Sequence, residues 1–103
     1  MNKRYDDEKD LWTIEVTVDI DMYSVPDFKE LIYDCIAQHK VDFLIDCAGM
    51  DYIDSTGLGV LVSCFFKVKE YGRNIKIVGL KPHIMKIFEI TGLQNIFDLE
   101  EAQ

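Results

Sequence analysis

The hydrophobic period of this chain switches from two to about 3.6 three times, always strand-like first, and that alternation restricts the possible folds more than any other feature. Ile14, Val16, Val18 and Ile20 alternate with Thr13, Glu15, Thr17 and Asp19, which predicts a strand from Trp12 to Ile20 with one wet face. Ser24-Val25-Pro26-Asp27 then reads as a capping-box-like start with proline in the first turn. Phe28, Leu31, Ile32, Cys35 and Ile36 follow at helical spacing and predict a helix over 25–38. Val41, Phe43, Ile45 and Cys47 alternate with Asp42, Leu44 and Asp46 as a second strand. The second helix, over 56–71, turns Leu58, Leu61, Val62, Cys64, Phe65 and Val68 inward and ends at Gly72. Its polar stripe is Gly59, Ser63, Lys67 and Glu70, with Phe66 beside it and partly exposed. A third strand over 74–79 buries Ile75 and Ile77. A short helix opened by Pro82 and closed by Gly92 carries Ile84, Met85, Ile87 and Phe88.

Strand and helix in strict succession is the pattern of parallel βαβ units with right-handed crossovers. Strands buried on both faces would be apolar almost throughout, and these alternate, so the helices should cover mainly one face. The expectation is an α/β domain with a mixed, mostly parallel sheet of four or five strands. Residues 1–10 are polar, with Tyr5 as their one anchor, and read either as an edge strand turning back at Glu8-Lys9-Asp10 or as a loose terminus. Leu93, Ile96, Phe97 and Leu99 form a last apolar patch, and residues 98–103 read as an acidic tail.

At 103 residues, the chain is expected to be a single domain spanning 1–103. Neither a membrane span nor a signal peptide is legible, which predicts a soluble, cytoplasmic protein. A formal charge of −8 with no basic stripe argues against nucleic acid or an anionic membrane as partner and favours a protein with a basic or neutral face. Cys35, Cys47 and Cys64 have no ligand spacing and fall at apolar positions, so they read as reduced core residues. His39 and His83 read as surface residues.

The segment from Met50 to Gly59, Met-Asp-Tyr-Ile-Asp-Ser-Thr-Gly-Leu-Gly, joins a strand to the long second helix. Asp54 and Ser55 are both good N-cap residues, and a hydroxyl at that helix tip faces the positive end of the macrodipole. Phosphate fits such a spot, so Ser55 is a candidate acceptor. Gly57 and Gly59 remove side chains from the first turn, where another protein's surface could approach the backbone. A pure capping role is the structural alternative. Because functional groups in open α/β sheets gather beyond the carboxyl ends of parallel strands, Asp19, Asp21, Asp51, Asp54 and Ser55 should share one rim. Such a cluster could be mere surface acid, a Mg²⁺ site for phosphotransfer, or the surroundings of a serine modified by another enzyme. A phospho-aspartate arrangement with a downstream lysine is missing, as is a glycine-rich phosphate loop, and the third reading asks least of the residues. No metal site, cofactor or small-molecule substrate is predicted.

Val18-Asp19-Ile20-Asp21-Met22-Tyr23-Ser24-Val25-Pro26, Val41-Asp42-Phe43-Leu44-Ile45-Asp46 and Tyr52-Ile53-Asp54-Ser55-Thr56-Gly57-Leu58-Gly59-Val60-Leu61 together resemble the STAS domain family, most of all its anti-anti-sigma factors. Ile75-Lys76-Ile77-Val78-Gly79-Leu80-Lys81-Pro82 and Ile87-Phe88-Glu89-Ile90-Thr91-Gly92-Leu93 continue the resemblance. Val18 departs from it, standing where many members carry glycine. The resemblance implies a non-enzymatic anti-sigma factor antagonist with a STAS-like fold. Its unphosphorylated form would bind an anti-sigma factor serine kinase and free the sigma factor, phosphorylation at Ser55 would block binding, and a serine phosphatase would reset the switch. Asp19, Asp21, Asp54, Ser55, Thr56, Gly57, Leu58 and Gly59 are the partner-binding residues so implied. A constitutive scaffold or accessory subunit of a larger sensory or transport assembly, never phosphorylated, is the alternative.

Overall fold

A computed structural model describes residues 1–103. Its elements are β1 (Asn2–Asp6), β2 (Leu11–Glu15), α1 (Val25–Gln38), β3 (Asp42–Asp46), α2 (Ser55–Glu70), β4 (Ile75–Leu80), α3 (Pro82–Ile90) and β5 (Asp98–Glu101). A single 3-10 turn, Leu93–Asn95, precedes β5. The five strands lie side by side in sequence order, with β1 antiparallel to β2 and every later pair parallel. The parallel strands advance in one direction, so crossovers of the usual right hand set α1, α2 and α3 on the same side of the sheet, in keeping with the single buried face of its strands.

Side-chain alternation follows from that one-sided cover. Trp12 and Ile14 of β2, Phe43 and Ile45 of β3, and Ile75 and Ile77 of β4 are buried beneath the helices. Leu11, Thr13, Asp42, Leu44 and Lys76 point to the other, wetter face. Phe28, Ile32 and Cys35 of α1, Leu61, Cys64 and Val68 of α2, and Ile84 and Phe88 of α3 complete one continuous core. The Trp12 indole N–H is satisfied inside it, donating to the Cys35 carbonyl at 2.9 Å. All three cysteines are buried and unbridged as expected, and burial pushes the Cys47 and Cys64 thiols up to about 12, which leaves them protonated and unreactive at neutral pH. No helix is long and apolar enough to cross a membrane.

Three expectations are corrected. The first strand ends at Glu15 rather than Ile20, because the chain leaves the ladder after Val16 donates to the Asp46 carbonyl at 2.8 Å. Val18 is thrown outward, 45% exposed, and only Ile20 returns, through an isolated parallel bridge to Ile53. Ser24 does not act as a capping-box residue: its backbone is already helical and its hydroxyl donates instead to the Asp19 carbonyl at 2.7 Å. The segment expected as an acidic tail forms β5, where Leu99 reaches toward the core and Lys76 of β4 pairs with Glu100 at 3.6 Å. Residues 2–6 take the edge-strand alternative, with Tyr5 stacked on the His39 ring at a centroid distance of 3.8 Å.

The β4–β5 register slips between Ile77 and Leu80 around Gly79, whose φ is +73°. A Cβ there would meet Asp46 Oδ1 at 2.9 Å and the Ala48 nitrogen at 3.0 Å. Gly79→Ala should therefore cost about 1–2 kcal/mol from the left-handed backbone alone. A urea midpoint equal to that of the parent chain would contradict this account of the bulge.

Candidate functional site

The rim beyond the carboxyl ends of β2 and β3 is built from two loops, residues 16–24 and 47–54, that bind each other reciprocally. Asp19 Oδ1 accepts from the backbone N–H groups of Asp51 and Tyr52, at 2.9 and 3.1 Å. In return Asp54 Oδ2 accepts from the Met22 N–H at 3.0 Å. Between these two clasps the backbones exchange bonds, Ile20 N–H to the Tyr52 carbonyl and Asp54 N–H to the Ile20 carbonyl, both 3.2 Å. Asp21 closes its own turn, its Oδ1 accepting from Tyr23 and Ser24 N–H at 3.0 and 3.1 Å. Asp51 pairs with Lys81, and the His83 ring donates from Nε2 to the Asp51 carbonyl at 2.6 Å.

The rim therefore assembles as expected from positions far apart in sequence, but its carboxylates are turned to backbone N–H groups and to Lys81 rather than toward a common point. No group of three or more His, Cys, Asp or Glu side chains is disposed to hold a metal ion. The lacing instead makes a rigid seat for the start of α2.

Asp54, not Ser55, caps that helix. Its backbone is extended, and its Oδ1 accepts from the Gly57 N–H at 2.9 Å and from the Thr56 hydroxyl. Ser55 is thereby the first helical residue, exposed, and free of the capping role for which its type is suited. Its hydroxyl stands at the positive end of a helix that runs to Glu70.

The Thr56 hydroxyl bond, then the Gly57 N–H bond, and the Met22 N–H bond hold the Asp54 carboxyl below the usual carboxylate range. A depressed folded value means that the clasp is complete above the unfolded value of about 3.9 and is lost as the pH falls through the lower, folded one. The amide resonances of Met22 and Gly57 should thus shift together only below about pH 4, and Asp54→Asn should abolish that transition. Independent titration of the two amides would separate the cap from the clasp.

The two glycines of the segment part company. A Cβ on Gly57 would lie 2.6 Å from the Ile20 carbonyl oxygen and 2.8 Å from side-chain carbons of Ile20 and Ile53. Gly57 is buried, so the expectation that it opens the helix to an outside surface is corrected: it lets α2 sit down on its own loop. Gly59 does face open space. Leu58 is half-buried against the core, and Thr56 is exposed.

Three apolar residues of these loops went unmarked in the sequence reading. Met22, Tyr23 and Tyr52 are 62%, 83% and 53% exposed. Aromatic and methionine side chains this far out have no packing reason and give the rim around Ser55 an apolar collar suited to protein contact. The available signal was their place in loops rather than on an element's inward face.

Comparison with known proteins follows the same outline. The STAS domain profile matches residues 4–102. The anti-sigma-B factor antagonist of Bacillus subtilis is 36% identical over 86 residues, 84% of this chain and 78% of that protein. An anti-sigma factor antagonist from Mycobacterium paratuberculosis superposes with a TM-score of 0.76 at 25% identity, covering 96% of this chain and 84% of that one. The Bacillus cell fate determinant SpoIIAA in its phosphorylated form superposes with a TM-score of 0.70 at 18% identity, covering 99% and 92%. Sheet order, one-sided helices and a profile match over nearly the full length agree: the chain belongs to the STAS domain family.

Proposed function

We propose that this chain is a cytoplasmic, non-enzymatic anti-sigma factor antagonist that works by exchanging partners. Unphosphorylated, it binds an anti-sigma factor serine kinase and so frees the sigma factor. Phosphorylated at Ser55, it is released, and a serine phosphatase returns it to the binding form. Relatives named anti-sigma-B factor antagonist support the regulatory role, and SpoIIAA in a phosphorylated form supports a two-state reading.

The observation that carries the proposal is the freedom of Ser55. Because Asp54 caps α2, the serine hydroxyl is exposed at the helix tip, with the exposed side chains of Met22, Tyr23 and Tyr52 on the two loops that meet there and Asp19, Asp21, Asp54 and Thr56 fixing those loops. A docked partner would cover that collar together with Leu58 and Gly59, while Gly57 acts from beneath.

Incubation with the cognate kinase and ATP, read by peptide mass, tests the site. Ser55→Ala should take up no phosphate and still bind the kinase. Labelling that persists on the variant would remove Ser55 as acceptor, and a parent chain that binds without being labelled would favour the constitutive scaffold.

A further inference from the structure

Ser55, Gly59, Val62 and Phe66 recur along α2 at spacings of four, three and four, which sets them on one face of the helix as a strip about 16 Å long. Two of its members lack a reason inside the fold. Gly59 stands within a helix, where glycine is less favourable than alanine, yet a Cβ on it would meet no atom within 4 Å. Nothing in the molecule requires the missing methyl there, in contrast to Gly57 two residues earlier. Phe66 is 58% exposed, meeting Phe65 only edge-on at 5.5 Å. The strip also departs from the charge of its surroundings. In a chain of formal charge −8, α2 carries no acidic side chain before Glu70, and Lys67 and Lys69 follow Phe66 on the exposed side of the helix, the first with its ammonium over the Tyr33 ring at 5.5 Å and the second donating to Asn74.

We infer that this strip is the footprint of the partner gated by Ser55, an inference that rests on the function proposed above. The partner's surface closes over Gly59, where the bare backbone admits it, and an apolar pocket takes the Phe66 ring. Carboxylates on the rim of that pocket meet Lys67 and Lys69. A separate partner carboxylate, at the Ser55 end of the strip, opposes a phosphate there, so one acidic partner face accounts for both docking and release.

Gly59→Ala and Phe66→Ala test this through two readouts of opposite sign. The first should raise the melting midpoint by roughly 4 °C, since alanine is the better helix former. It should also weaken binding to the purified cognate anti-sigma factor by about tenfold or more, because a methyl is forced into a packed contact. Phe66→Ala should weaken binding by about tenfold or more as a lost aromatic anchor. Variants that bind as tightly as the parent chain, while Ser55→Asp binds more weakly, overturn the strip and leave the gate standing. A parent chain that fails to bind overturns the gate itself. A concentration-dependent dimer in sedimentation that Phe66→Ala abolishes assigns the strip to a second copy and overturns the inference.

Discussion

Gly57→Val is expected to destabilise the protein by about 3 kcal/mol, at the upper end of what overpacking costs. A Cβ at this position would stand 2.6 Å from the Ile20 carbonyl oxygen, an atom that cannot yield as the end of a flexible side chain can. The same oxygen accepts from the Asp54 N–H at 3.2 Å, so displacing it also breaks the bond that ties the 16–24 loop to the start of α2. Two γ-methyl groups enlarge the conflict, since Ile20 and Ile53 already close the space from the side at 2.8 Å. Urea unfolding followed by circular dichroism checks this. A midpoint near that of the parent chain would mean that α2 does not rest on Ile20 as described.

Phosphorylation of Ser55 is expected to weaken partner binding by about a hundredfold. Phosphate adds a charge of about −1.5 to −2 and three acceptor oxygens. Within the free protein that charge lies at the positive end of α2, which offsets part of it. Against a docked surface the balance reverses. A charge of −2 about 5 Å from one partner carboxylate, at an effective dielectric of about 40, is repelled by roughly 3 kcal/mol. That corresponds to about a hundredfold in affinity before any steric conflict. Ser55→Asp carries a single charge and should show a smaller loss, and both losses should shrink as salt is raised. Calorimetric titration of the kinase at two ionic strengths measures this. Equal affinity for the phosphorylated and unmodified forms would end the electrostatic account.

The parts of this fold that sequence made legible are those set by local periodicity. The boundaries of α1 were readable from Pro26 and the Phe28, Ile32, Cys35 and Ile36 spacing, and the structure begins and ends that helix at Val25 and Gln38. Long-range hydrogen bonds account for most of what was not readable. Asp19 finds its partners 32 and 33 residues away, and Met22 reaches Asp54 across 32. No local pattern reports such pairings, so Val18 was assigned to a strand that the lacing of the loops cuts short. Asp54 and Ser55 are equally good caps by type, and the extended backbone of Asp54 decided between them. Gly57 and Gly59 are likewise indistinguishable as letters, and only the position of Ile20 beneath the helix separates them. The last strand was hidden because three of its four residues are acidic, and the edge place beside Lys76 makes that composition tolerable.

The account holds that Ser55 gates association by charge and bulk at its surface, with no refolding behind it. Backbone amide spectra of the chain before and after phosphorylation at Ser55 test that most directly. The predicted result is a set of shifts confined to residues 19–24 and 50–60, with the amides of Phe43, Ile45 and Ile77 unmoved. Shifts that spread into β3 and β4 would contradict it, for phosphate would then act by altering the fold and not by guarding the surface.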